Sequence, residues 1–455
     1  MELKDLLLTP IYLGVFYAIA FGVRKRFTNV LTKKYFIPAL SVKFLGAIAL
    51  GLIYQFYYKG GDTFNYFNHT KIVYQAFWDS PSSGIKLLFS HGEYDPNTAS
   101  YAARMEWYDA PKEFTVIKIA VWCALLCFNT YTIIALMFAT ISFSGMWAMF
   151  VTLIKVRPSI YKSLAISVFF IPSVFFWGSG LMKDSICLGA LGWVFFAFYR
   201  GAIEKKHVTA SAIIGFIAAY TIFTIKVYIL LCFLPPALLW VFNENSQKIR
   251  NPLVRTLAKP LFLIAGVLIA GFAATTLTAG DDQYDVTKIG ERSKITADYL
   301  YSVSVKEGGS AYHIGELDGT LSGMIKLAPQ AIIVSLFRPF LWEARNPVMI
   351  LSAIEALYFL IFTIRIFYKS GVIKTLTTIS RSPVLVLCFV FSLVFAIAIG
   401  TSTSNFGTLV RYKIPLIPFY VAGLYILQDI STAATRSKRK IIRATSIRTQ
   451  VATPR

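Results

Sequence analysis

Runs of apolar residues, each continuous over roughly 17 to 25 positions, alternate along the chain with short basic stretches and two long polar segments. Each run is long enough to cross about 30 Å of hydrocarbon as an α-helix, and none shows the period-two alternation of a membrane β-barrel. The pattern predicts spans at about 1–23, 38–58, 130–155, 163–178, 185–200, 208–224, 227–242, 260–279, 347–368, 383–400 and 414–429. It describes an all-α polytopic integral membrane protein of about eleven transmembrane helices. Two further apolar stretches, 113–129 and 324–337, are short or interrupted and read as helices lying at the interface. No internal repeat points to an inverted-repeat transporter.

Composition agrees with the pattern: of 455 residues, 56% are apolar and 16% aromatic, and the mean hydropathy is +0.60, outside the soluble globular range. The net charge of +22 does not mark a nucleic-acid partner, because the cations gather in short connections and at the C-terminus. Arg24, Lys25, Arg26, Lys33 and Lys34 follow the first span; Lys155, Arg157 and Lys162, then Arg200, Lys205 and Lys206, then Lys248, Arg250, Arg255 and Lys259, follow later ones. This is the positive-inside signature, and it places the N-terminus outside and the C-terminus in the cytoplasm. Segments 59–129 and 280–346 are long and acidic and fall on the outer side; residues 1–430 then form one transmembrane domain and 431–455 a basic cytoplasmic tail that reads first as a disordered topology anchor and alternatively as a segment resting on anionic membrane lipids. The first 23 residues carry no small-residue cleavage site and read as a retained anchor. Cys123, Cys127, Cys187, Cys232 and Cys388 all sit in apolar context and read as packing residues.

With sidedness set by charge, four polar clusters share the outer face: YYKGGDTFNYFNH (57–69), WGSGLMKD (177–184), FRPFLWEARN (337–346) and STSNFGTLVRYKIP (402–415). Each has a structural explanation. Asp62 and Asp184 can cap helices, Arg338 and Glu343 can pair, and Arg411 and Lys413 can snorkel. Together they also fit transfer chemistry on a lipid-linked phosphate. A carboxylate at the bilayer surface, Asp62 or Asp184, can deprotonate an acceptor hydroxyl. Lys183, Arg338, Arg411 and Lys413, with Glu343 beside them, can hold a leaving phosphate. Tyr66, Trp107, Trp177 and Trp342 can stack on sugar rings, although aromatic residues are common at any membrane interface. Lys43, Lys118, Lys226 and Glu355 read as lying near span ends or in the interface segment.

These residues resemble the membrane-embedded GT-C glycosyltransferase superfamily and the related exopolysaccharide polymerases of the EpsG and Wzy type. GGDTFNYF looks like the acidic first outer loop, PSVFFWGSGLMKDSI like the second, and RYKIPLIPF like the Arg-Tyr pair before a Pro-containing last span. The resemblance implies a many-span enzyme that moves a sugar or glycan from a polyprenyl-phosphate-linked donor to a glycan, lipid or protein acceptor, in cell-surface polysaccharide or glycoconjugate synthesis. Asp62 would be the base, Asp184 its support, and Arg411 a phosphate ligand. The chain differs from the family pattern in an added span before the acidic loop. A divalent cation, Mg²⁺ or Mn²⁺, bridging the two carboxylates and phosphate is an alternative way to hold the leaving group. A transporter or flippase for a lipid-linked glycan is the alternative function, and it calls for broken helices and ionisable groups near mid-bilayer.

Overall fold

The computed structural model describes residues 2–246, 251, 253, 288–306 and 309–433, and every regular element among them is helical. Among the described residues, eight helices are long and apolar enough to cross a membrane: α1 (Leu3–Phe27), α2 (Lys33–Tyr57), α3 (Tyr131–Val156), α4 (Lys183–Ile203), α5 (Val208–Lys226), α6 (Tyr228–Asn245), α7 (Pro347–Ser370) and α8 (Pro383–Ser402). A ninth candidate is a bent pair, α9 (Phe406–Tyr412) and α10 (Ile417–Ala433), which meet at 66°. The protein is an all-α polytopic membrane protein. The predicted span 260–279, the cations from Lys248 to Lys259, and the basic tail beyond Ala433 lie outside the described residues.

Side-chain contacts define the direction of each helix. α1 pairs Asp5 with Thr132 and the Phe27 carbonyl with the Trp147 indole, so it runs parallel to α3. α2 pairs Lys43 with Ser142 and Tyr35 with Phe150, so it opposes both. α3 and α4 are parallel, since Gly189 lies against Ile141 and Gly192 against Gly145. α5 opposes α4, with Gly215 on Ala197 and Lys226 on Asp184. α6 opposes α8 through Tyr228 on Phe395 and Phe233 on Phe391, and α7 runs with α10 through Phe359 on Tyr420 and Phe362 on Tyr425. These relative directions follow the alternation drawn from the charge pattern.

Parallel neighbours require a return crossing, and between α3 and α4 the predicted 163–178 run makes it. It is not one helix. Tyr161–Phe169 stops, and Pro172–Trp177 restarts after an extended Ile171 (φ −80°, ψ 124°), because a proline disfavours helical geometry in the residue before it. The two expected interface helices differ from each other. Pro111–Leu126 buries Phe114, Ile117, Ala120 and Ala124 while Trp122 and Leu126 stay exposed, a one-sided helix of about 24 Å, short of a full span. Ala328–Phe337 is not a helix lying flat at an interface: Ala331 meets Gly400, and Ser335 Oγ donates to the Ala396 carbonyl at 2.8 Å. The contacts climb one helix as they descend the other, so this segment lies antiparallel along α8.

α3 is the centre of the bundle and α1 its edge, with 78% and 6% of their apolar windows buried. Without a hydrophobic drive between helices in lipid, close backbone approach at small residues supplies the packing. Gly145 on α3 and Gly189 and Gly192 on α4 provide it, and a Cβ on Gly145 would run into the Gly189 carbonyl. Gly145→Ala is therefore expected to push α3 and α4 apart at a cost of about 1–3 kcal/mol. The check is the thermal unfolding midpoint in detergent against Gly14→Ala, a position with open space around it. Equal midpoints would contradict the close crossing.

Candidate functional site

Asp62 owes its position to a glycine turn. After the widened last turn of α2, Lys59, Gly60 and Gly61 adopt φ of 54°, 145° and 115°, the left-handed side where a Cβ is unfavourable. Gly61 is needed twice over, since a Cβ there would also lie 2.8 Å from the Tyr54 ring. The chain then enters the helix Asp62–Asp79 with Gly61 at the N-cap, so Asp62 is not the cap and its carboxylate is directed elsewhere. Asp184 is likewise the second residue of α4, after Met182 at the N-cap.

The two carboxylates meet through one arginine. Asp184, its side chain 2% exposed, accepts from Lys226 Nζ at 2.5 Å on Oδ1 and from Arg411 Nε at 2.6 Å on Oδ2. Arg411 Nη1 reaches Asp62 Oδ2 at 2.5 Å, and the Asp62 side chain is 44% exposed. Lys226, Asp184, Arg411 and Asp62 thus form a chain of alternating charge from the buried end of α5 to the half-exposed Asp62 carboxylate. The Tyr412 ring closes its inner side, 4.5 Å from Lys226 Nζ. Two carboxylates and two cations cancel, and this allows a cluster so dry to form.

A second set of buried charges holds the loop that carries Asp184. Glu355 of α7 accepts the Ser173 amide at 2.9 Å and the Ser173 hydroxyl at 2.6 Å, at the start of the helix Pro172–Trp177. Lys43 of α2 donates to the Gly178 carbonyl at its end at 2.7 Å, joined there by Ser142 Oγ at 2.7 Å. An anion at the N-terminus and a cation at the C-terminus is the arrangement the helix dipole favours. Lys43 and Glu355, 0% and 7% exposed, sit within the bodies of their spans, not near the ends as the sequence reading places them.

The remaining predicted residues do not join Asp62. Lys183, next to Asp184 in sequence, points away on the helix and pairs with Glu113 at 2.5 Å. Arg338 and Glu343 pair with each other, and the Arg338 guanidinium lies 5.6 Å from the Tyr312 ring and 5.1 Å from that of Phe406. Burial would raise the Glu343 carboxyl, but Arg338 and the Phe340 amide hold it below the usual carboxylate range. Lys413, 1% exposed, neither snorkels nor faces an opening; its Nζ lies 3.4 Å from the Arg338 carbonyl and in the field of Glu355. Tyr66 and Trp177 are 1% and 7% exposed, packed on Trp107 and against Tyr54, so neither offers a face to a sugar. Burial pushes the Tyr66 hydroxyl upward, and it sits in the fields of Arg411, Glu113, Asp62 and Asp184. Trp342, stacked on Phe340, keeps its outer face exposed.

Lys226 is the site residue that sequence reasoning placed only as a span-end charge. The usable signal was a lone cation closing an apolar run on the side where the charge rule disfavours one. No group of three or more His, Cys, Asp or Glu suited to a metal ion occurs among the described residues, and Arg411 occupies the position between Asp62 and Asp184. Comparison with known proteins finds no matching family model, curated protein or solved structure.

Asp184→Asn leaves two cations facing an uncharged amide and is expected to destabilise the protein by about 3–5 kcal/mol, the cost of breaking a buried pair. Asp62→Asn, at the exposed end, is expected to cost under about 1 kcal/mol. Thermal unfolding of both variants in detergent tests the ranking, and a reversed order would refute the buried-to-open arrangement.

Proposed function

We propose that the chain is a glycosyltransferase of the inner (plasma) membrane. It takes a sugar or glycan from a polyprenyl-phosphate-linked donor at the outer face and passes it to a glycan, lipid or protein acceptor in cell-surface polysaccharide or glycoconjugate synthesis. The observation that carries the reading is Asp62: a half-open carboxylate with one oxygen held by Arg411 and Oδ1 without a hydrogen bond among the described residues. The basic connections at the opposite end of the bundle, such as Lys155 and Arg157, support an outer location for Asp62.

The roles then differ from a symmetrical pair of acids. Asp62 accepts the proton of the acceptor hydroxyl. The hydroxyl oxygen bonds to the anomeric carbon as the bond from that carbon to the phosphate oxygen breaks, and the phosphate departs with the electron pair. Arg411 has a guanidinium nitrogen, Nη2, beyond those on Asp62 and Asp184, and it meets the growing phosphate charge. Asp184, with both oxygens occupied, is a positioning residue that holds Arg411 and Lys226 in place.

A second reading, a transporter or flippase for a lipid-linked glycan, draws on the 66° bend between α9 and α10 and on the buried Lys43, Glu355 and Lys413. Lys43 and Glu355 are already committed to the ends of Pro172–Trp177, which weakens it. The two readings separate in membranes supplied with a labelled polyprenyl-linked donor and acceptor. Asp62→Asn is expected to lower sugar transfer about 100-fold or more at unchanged protein abundance. Transfer at the wild-type rate would refute the enzymatic reading, and loss of donor translocation with no transfer activity in the parent protein would favour the transporter.

A further inference from the structure

At the end of the bundle away from Asp184, an apolar cavity of about 740 Å³ opens between α1, α2, α3 and α4. Its walls include Phe16, Phe44, Phe143 and Trp147, and Arg26 and Arg200 also line it. Arg200 lies about 24 Å along α4 from Asp184, so this cavity is separate from the charged cluster.

α1 is fastened to α3 near its two ends. Asp5 Oδ1 accepts the Thr132 amide and hydroxyl, each at 2.9 Å, and the Trp147 indole donates to the Phe27 carbonyl at 3.1 Å. Between those points the Tyr17 and Ser41 hydroxyls bond at 2.7 Å and Phe16 packs on Phe44, and the cavity lies beside these contacts. Neither arginine has a carboxylate partner among the described residues; Arg26 lies 5.9 Å from the Phe27 ring and Arg200 lies 5.7 Å from the Phe196 ring. From Phe16 to Phe27, α1 rises about 16 Å, roughly half of a 30 Å hydrocarbon core. That is the depth of one leaflet.

We propose that this cavity binds one anionic glycerophospholipid, with an acyl chain along the aromatic wall and the phosphate at Arg26 and Arg200. Planar guanidinium groups match phosphate oxygens and are weakly hydrated, so they suit a headgroup at a partly dry mouth. One-leaflet depth fits an acyl chain, whereas a polyprenyl chain is much longer. The site does not depend on the glycosyltransferase reading.

The test uses the full-length chain purified in a neutral detergent and titrated with dioleoylphosphatidylglycerol or dioleoylphosphatidylcholine. Tryptophan fluorescence reports the unfolding midpoint, and native mass spectrometry counts retained lipid. The anionic lipid is expected to raise the midpoint saturably with one lipid retained, and the zwitterionic lipid to leave it nearly unchanged. Arg26→Gln with Arg200→Gln is expected to weaken the anionic lipid on the order of tenfold, while Lys374→Gln, away from the cavity, retains the parent response. The single arginine variants, at exposed and half-exposed positions, provide the same readout if the double variant does not fold. Equal responses to the two lipids, or undiminished phosphatidylglycerol affinity in the arginine variants, would overturn the proposal.

Discussion

The Asp184 carboxylate is the interaction on which the rest of the site end depends. A charge so deeply buried is tolerable only if each oxygen finds a cation or donor, and Lys226 and Arg411 satisfy them one each. Because those two partners come from α5 and α9, Asp184 ties the start of α4 to both. Arg411 then has a direction left for Asp62, which brings the first acidic turn to the same point. The break between α9 and α10 is part of the same requirement, since it sets the Arg411 helix at an angle to the span that follows.

Other buried charges serve helix ends. Asp5 meets the first turn of α3, Glu355 the start of Pro172–Trp177, and Lys43 its end. In hydrocarbon an unpaired backbone terminus is expensive, and a broken crossing exposes more termini than a continuous helix. The charges inside α2 and α7 therefore belong with the proline break before Pro172. This changes how intramembrane ionisable residues are read in this chain: Lys43 and Glu355 complete a short helix, while Asp62 is the half-exposed carboxylate of the charged cluster.

The two ends of the bundle present different surfaces. At one, turns and short helices bring a neutral but highly charged cluster to the surface at Asp62. At the other, an aromatic cavity beside the edge helix is lined by two arginines that have no carboxylate partner among the described residues. Close glycine contact between α3 and α4 supports both, since α4 carries Asp184 at one end and Arg200 at the other.

Hydrophobic run length and the distribution of lysine and arginine determined the all-α membrane class, most crossings and their relative directions, because those signals are local and the bilayer imposes one length scale. The convergence of Asp62, Asp184 and Arg411 was also legible, through the shared end of their spans. Tertiary structure decided the rest. Whether a polar residue faces the surface, a helix end or another charge depends on rotation about the helix axis and on neighbours tens to hundreds of residues away. Lys183 and Asp184 are adjacent yet pair with Glu113 and with Lys226 and Arg411. Arg338, Glu343, Lys413, Tyr66 and Trp177 became packing or pairing residues for the same reason, and Lys226 entered the cluster because α5 ends beside the first turn of α4, a proximity no local pattern encodes.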